Sequence, residues 1–437
     1  MIITLFEEYN DNAKEILRSL ETAHIPTKYF FIRYKGSLPQ NSLCPFTYFT
    51  QIDSEDKGEL FFNQVVVPLF YEIRDIASQY ALILDGDKII GKIHYREGSF
   101  RKVDKVRWFS SEKQVTKEDL YNRSGDHYAS NFYVQGNLYQ TVYLMGEEEI
   151  LWENHINQLI TLKYMGKIYQ FRGLLPFTLF FFKIIGLSSD EYFIINSLSY
   201  PLFVIREFLS SPRATLFWQE EFVESIPENM STELTEHKAL SQIIFKDETQ
   251  LEKVKAACPI RQRDLHYLSP IGQFLRENHM RLTTFTLTAS DQLNGIEELL
   301  SIFPDISFCI AAKTSMSRRL LDLGRKHPNL RLKPNISNQE ISTELNLADI
   351  YLDINQGIEV ESIIKKAYHN ALLIFADSSC VKSGKKSIVF DNLSELKLIL
   401  AKLSQSKENW LEVLAIYHQK NGRVSTENEY RRLFDFI

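Results

Sequence analysis

Residues 349–377 read DIYLDINQGIEVESIIKKAYHNALLIFAD. The opening DIYLDI and the closing ALLIF are apolar runs of strand length. Between them, apolar residues recur at helical spacing from Ile358 to His369. Strand, short loop, helix, strand is therefore the expected order, and strands joined through a helix lie parallel in one sheet. In such sheets ligands sit at the strand carboxyl ends, where loops feed helix N-termini. Asn355, Gln356 and Gly357 fall in that loop and are the first candidates for binding. An ordinary strand-to-helix connection is the competing reading. The spacing from Asp353 to Gly357 also faintly matches a calcium loop. It lacks the further acidic ligands and follows a strand, so a turn is expected instead.

Outward from this segment the same texture holds from about 241 to 410. SQIIF, DLHYL, LTTFTL, ISFCI and SIVF read as strands, and ETQLEKVKAA, 292–303, 315–326 and 393–403 as helices. This alternation predicts a parallel sheet with helices on both faces. Upstream, from about 78 to 171, the period changes to two. ALILDGDKIIGKIHY, FYVQGNLYQTVYL and TLKYMGKIYQF read as hairpins turning at Asp85-Gly86, Gly136-Asn137 and Met165-Gly166. An antiparallel meander follows, with one face packed and the other toward solvent or a partner. Residues 1–70 carry a helical pattern near 11–23 and a strand-like run at 28–34, and 410–437 reads as terminal helices.

Composition is that of a folded globular chain: 44% hydrophobic, 24% charged, over 437 residues. Fifty basic and 56 acidic side chains give a net charge of -6, which argues against a bulk nucleic-acid binder. Aromatics reach 13%, which implies a large core, an extensive interface or both. In the meander, Tyr95, Phe100, Trp108, Phe132, Tyr133, Tyr139 and Tyr143 are read either as one packed face or as a partner surface. The run 173–187 is too short to span a membrane and contains Lys183, so a buried or interfacial segment is expected. The N-terminus has Glu7 and Glu8 and no basic n-region, unlike a signal peptide.

Chemistry-bearing motifs are mostly absent. No phosphate-binding glycine loop, zinc-protease helix or nucleophile elbow occurs, and the histidines show no metal-ligand spacing. Cys44, Cys258, Cys309 and Cys380 form no C-x-x-C pair, so reduced thiols are expected. Lys385-Lys386 and Arg318-Arg319 read as solvated surface.

The segment 349–377 resembles the donor-site element of retaining glycosyltransferases with two Rossmann-like domains, the GT-B fold. That pattern, E-G-F-G-L-x-x-x-E-A followed by G-x-P, uses two glutamates eight apart against the donor sugar and ribose. With Ala367 on the pattern's alanine, the glutamates fall on Ile358 and Lys366, and G-x-P falls on Asn370, Ala371 and Leu372. Both carboxylates are thus replaced, and a lysine offers no acceptor to a ribose hydroxyl. The N-terminal domain also lacks the Gly-Gly loop found near the donor phosphates.

The whole chain resembles a narrower group: the accessory, GtfB-type subunits of the bacterial O-GlcNAc-transferase that glycosylates serine-rich-repeat adhesins. The opening MIITLFEEYNDNAKEILRSL, CPFTYF, the meander, FWQEEFVESIPENM, IIFKDETQLEKV and DINQGIEV carry the likeness, through their order and spacing.

The resemblance implies an α/β, GT-B-like architecture. Residues 1–70 and 190–240 would form the first Rossmann-type domain, with 71–189 as an antiparallel insert that meets the partner. Residues 241–410 would form the second domain, and the helices of 411–437 would return to the first. It implies a non-catalytic subunit without cofactor or metal, cytoplasmic, with peripheral association at the cytoplasmic face of the membrane. Its partners would be a catalytic GtfA-type subunit and a Ser/Thr-rich acceptor polypeptide. The acceptor is expected between the domains, near Asn355, Gln356, Gly357, Lys313 and Ser315. The meander and the aromatic run 177–182 are expected to face the catalytic subunit. Two other classes compete: an active glycosyltransferase with a divergent donor site, and a stand-alone peptide-binding scaffold.

Overall fold

The computed structural model describes the chain except residues 53–57, 78, 97–100, 221–224, 259–262, 273, 421–423 and 436–437. It divides into two compact units, Met1–Leu268 with Tyr430–Ile437, and Ser269–Glu429.

The first unit is built on Ile2–Phe6, whose five residues are all buried, as a central parallel strand requires. The helix Asp11–Thr22 follows, its N-cap Asn10 accepting from the Ala13 amide. The sheet runs Leu265–Tyr267, Leu240–Phe245, Ala214–Trp218, Tyr192–Ile195, Ile2–Phe6, Thr27–Phe31, with every pair parallel. SQIIF and DLHYL therefore belong to this sheet and not to the second domain expected to open at 241. An apolar strand flanked by helices reads the same in either sheet, so nothing local distinguishes the two.

Between Thr27–Phe31 and Tyr192–Ile195 the chain builds a ten-stranded antiparallel sheet, Glu72–Ala77 through Lys167–Arg172, paired in chain order. The pair Tyr164–Lys167 leaves Met165-Gly166 as a two-residue turn, with φ 49° and 72°. Two left-handed residues are what a type I′ hairpin needs. Val134 pairs with Asn137, so the next such turn is Gln135-Gly136, one residue before the expected position. Asp85 pairs with Lys88, which moves that turn to Gly86-Asp87.

One end of the meander packs on two short helices. Phe177, Phe181 and Phe182 of Leu174–Ile184 are buried, and Phe46 of Pro45–Thr50 meets Tyr143 at 4.6 Å between ring centres. Phe171 meets Phe177 at 5.5 Å. The aromatic run expected to face a partner thus packs largely inward. At the other end Val65 and Phe62 pack on Ala81, Ile83, Ile93 and Val106. Tyr95 and Tyr143 are buried, and Trp108, Phe132, Tyr133 and Tyr139 half-buried; Phe100 lies outside the described residues. Glu118 and Asp119 are buried within the sheet. Glu118 accepts from Arg107 Nε at 2.5 Å and the Tyr133 hydroxyl at 2.7 Å; Asp119 accepts from Trp108 Nε1 at 2.6 Å.

The second unit is a six-stranded parallel sheet: Leu330–Lys333, Ser307–Ala312, Thr283–Thr288, Ile350–Asp353, Leu373–Asp377, Ile388–Phe390. Its core includes Phe285, Ile310, Tyr351 and Phe375. Asp349, fully buried, ties the amino end of its strand to Arg276 at 2.7 Å and Arg281 at 2.8 Å. The helix expected from Ile358 starts only at Ile363. Glu361 and Ser362 are left-handed, with φ 57° and 50°, and break the helical pattern that the apolar spacing implied.

Of the terminal segment, Lys407–Lys420 stays in the second unit, with Trp410, Val413 and Tyr417 in its core. The stretch from Tyr430 belongs to the first unit, where Tyr430 and Phe434 pack against Phe217, each with ring centres 6.4 Å away, and Arg431 donates to the Ala23 carbonyl at 2.9 Å. The expectation that all of 411–437 returns there is corrected accordingly. Among the described residues no helix is long and apolar enough to cross a membrane.

Candidate functional site

The carboxyl ends of the second unit's strands gather the residues picked from the sequence. Asp353, buried at the end of its strand, accepts from the Lys382 amide at 2.9 Å and pairs with Lys382 Nζ at 3.0 Å. The same ammonium donates to the carbonyl of Asn355. Gln356 takes the carbonyl of Gln292 with its amide at 3.1 Å and donates Nε2 to Asn294 Oδ1 at 2.9 Å. Asn294 in turn donates to Asp377 at 2.9 Å and to Ser379 Oγ at 3.1 Å. Burial pushes the Asp377 carboxyl up, but the donors Ser379 and Asn294 hold it below its ordinary range.

Asn355 is buried, and its Oδ1 has no partner among the described residues. Gly357 leaves no spare room. A Cβ there would stand 3.1 Å from the carbonyl carbon of Ala289 and 3.2 Å from Asn355 Oδ1. Ala289 forms part of a cavity of about 310 Å³, together with Thr288, Asp291, Thr314, Ser315 and Ser317. Gly357 is therefore packed against Ala289, and Ser315 shares a cavity with Ala289.

Lys313 is taken up elsewhere. It pairs with Glu361 at 3.5 Å and donates to Asn338. Lys366 reaches the other oxygen of Glu361 at 3.1 Å. Burial opposes ionisation of Glu361, yet Lys366 and Lys313 hold its carboxyl below the usual range. Ile358 is 80% exposed in the loop before the helix.

The loop is thus braced largely by its own contacts. Of the five residues picked as acceptor contacts, Ser315 combines an open cavity with a hydroxyl that makes no hydrogen bond among the described residues. Sequence reasoning missed Lys382, Asn294 and Glu361, and read Asp353 only as part of a turn. Asp353 and Glu361 stand within the segment 349–377 itself, and the fold brings Lys382 to Asp353 and Asn294 to Gln356 from elsewhere in the chain. Among the described residues no group of acidic, histidine and cysteine side chains could hold a metal ion.

Two parallel α/β units, the first carrying an antiparallel insert, define a GT-B-like protein. Three family models match the chain: GtfB middle domain over residues 71–172, GtfB third domain over 175–256, and GftB/GlyA-F C-terminal domain over 284–414. A Streptococcus agalactiae protein named as the stabilizing protein GtfB of UDP-N-acetylglucosamine–peptide N-acetylglucosaminyltransferase is 32% identical, covering 100% of this chain and 98% of that one. Its Streptococcus gordonii counterpart, named likewise, is 33% identical over 85% of this chain and 84% of its own. A chain of a crystal structure of the GtfA/B complex bound to UDP and GlcNAc is 28% identical, with a TM-score of 0.89, covering 100% of this chain and 99% of that chain. The chain belongs to the GtfB family.

Proposed function

We propose that this protein is the non-catalytic subunit of a cytoplasmic protein O-GlcNAc-transferase. It binds the Ser/Thr-rich acceptor polypeptide and stabilises a GtfA-type catalytic partner. That partner adds the first O-linked GlcNAc from UDP-GlcNAc to a serine-rich-repeat adhesin. The observation that carries the non-catalytic reading is the pair Ile358 and Lys366 at the two donor-site carboxylate positions. Ile358 projects an apolar side chain into solvent, and Lys366 is bound to Glu361. Neither supplies the anionic contact that a retaining transferase sets against its donor, and losing one such group costs about 10²–10³-fold in rate. This same pair weighs against an active transferase.

The stabilising role rests on the family and on the names of its relatives. The acceptor's expected contacts remain Asn355, Gln356, Gly357, Lys313 and Ser315, with Ser315 facing the cavity and Gly357 shaping its wall through Ala289. The meander is the expected contact with the catalytic subunit. Its last strand, Lys167–Arg172, is an edge with no further strand paired to it among the described residues; Ile168 within it is 73% exposed and Met165 in the turn before it 81%. Unpaired edges and exposed apolar side chains are what a partner covers.

The test is co-expression with the catalytic subunit, followed by size-exclusion chromatography. A single hetero-oligomeric peak, with the partner less soluble when expressed alone, supports the reading. Two independent monomer peaks with a fully soluble partner overturn it.

A further inference from the structure

The first unit holds a larger cavity that no sequence pattern marks. It measures about 520 Å³, within the range of pockets that hold small ligands or peptide segments. Its wall is the loop from Gly36 to Ser42, with Thr47, Ile52, Arg123 and Ser124. The loop is pre-formed. Its start is held by the Arg123 amide donating to the Gly36 carbonyl at 3.1 Å, and its end by the Leu43 amide donating to Tyr29 at 2.8 Å. Ser42 bonds back to Pro39 at 2.7 Å. The facing hairpin turn is equally fixed: Asn122 accepts from the Asp126 amide at 2.7 Å. Gly125, at φ 82°, lies so close to Gly58 that a Cβ would stand 2.6 Å from its carbonyl oxygen.

What distinguishes this cavity from the loops of the second unit is which groups remain unspent. Lys313, Gln356 and the Asn355 carbonyl are all engaged internally. Here, among the described residues, the side chains of Ser37, Gln40, Asn41, Ser124 and Arg123 make no hydrogen bond or ion pair. Among the described residues the wall contains hydroxyls, carboxamides and one guanidinium, and no carboxylate. Such a wall suits a ligand rich in hydroxyl and amide groups with one negative charge. A guanidinium seats a carboxylate in two parallel hydrogen bonds, while the hydroxyls and amides serve the neutral groups beside it.

We infer that this cavity is a subsite for the acceptor polypeptide, holding a Ser/Thr-rich segment with an aspartate or glutamate side chain against Arg123. The inference rests on the acceptor-binding role proposed above and adds a second contact region to it. An extended, disordered acceptor gains little from any one residue, so separated subsites on one chain raise its affinity through effective concentration.

The experiment measures binding of two synthetic peptides to the full chain by fluorescence anisotropy. Both are Ser/Thr-rich and identical except that one glutamate is replaced by glutamine. Wild type is compared with Arg123→Ala and with Asn41→Ala, each checked for an unchanged melting temperature. The expected result is that wild type binds the glutamate peptide about tenfold more tightly, and that Arg123→Ala erases this difference. Asn41→Ala should weaken both peptides alike, and 0.5 M salt should shrink the glutamate preference. Equal binding of the glutamate peptide by wild type and Arg123→Ala would overturn the subsite while leaving the acceptor-binding role standing. No binding of either peptide to wild type would overturn that role and the subsite with it.

Discussion

Lys366 and Glu361 are joined at 3.1 Å, and Lys313 approaches the same carboxylate at 3.5 Å. This chain thus ties two ammonium groups to one of its own glutamates. Lys366→Ala should then leave the activity of the assembled transferase within about twofold, because an exposed pair of this kind contributes little. Steady-state GlcNAc transfer by the complex, wild type against variant, checks it.

Asp349 is fully buried between Arg276 and Arg281. Burial works against its charge, but the two guanidinium groups keep the carboxyl below its ordinary range. Removing the acid with Asp349→Ala strands Arg276 against the carbonyls of Leu345 and Ala348. The expected loss is about 3–5 kcal/mol of the second unit's stability, read from urea unfolding.

Much of this sheet is legible from sequence, because its strands are apolar runs separated by helical spacing. Leu330–Lys333 escapes notice because LRLK is short, half polar and at the edge. The helix start at 358 fails because apolar spacing cannot register two left-handed residues, Glu361 and Ser362. Met165-Gly166 is readable because glycine marks the left-handed turn position. The cavity beside Arg123 is not readable, since GSLPQNS carries no periodicity and Arg123 lies some eighty positions downstream.

The meander should weaken as pH falls, in two windows. Burial and the neighbouring cations Arg107, Lys92 and Lys105 lower His94 to about 4. An unfolded histidine binds its proton below about 6.5, so acid favours the unfolded chain between these values. Glu118 is held down to about 2 despite burial, by Arg107, Tyr133 and Lys105. Its contribution is present above about pH 4.3 and is lost as pH falls toward 2. Thermal melts from pH 7 to 3 should show the melting temperature falling throughout. His94→Gln should flatten the upper part and leave the lower.

Ile168 in the edge strand Lys167–Arg172 of the ten-stranded sheet and Met165 in the turn before it stand exposed. If that edge meets the catalytic subunit, Met165→Glu with Ile168→Glu should weaken the complex by about tenfold or more without lowering the melting temperature of the isolated chain. Surface plasmon resonance against the immobilised partner reads the effect. Unchanged affinity would move the interface elsewhere.

UDP release is the most direct test of the non-catalytic reading. It would be followed with a Ser/Thr-rich peptide and UDP-GlcNAc for the purified chain, the purified catalytic subunit and the two together. The chain alone should stay at background, and the mixture should exceed the catalytic subunit alone. Turnover by the chain alone at about 1 s⁻¹ or faster, the range of ordinary enzymes, would contradict the account.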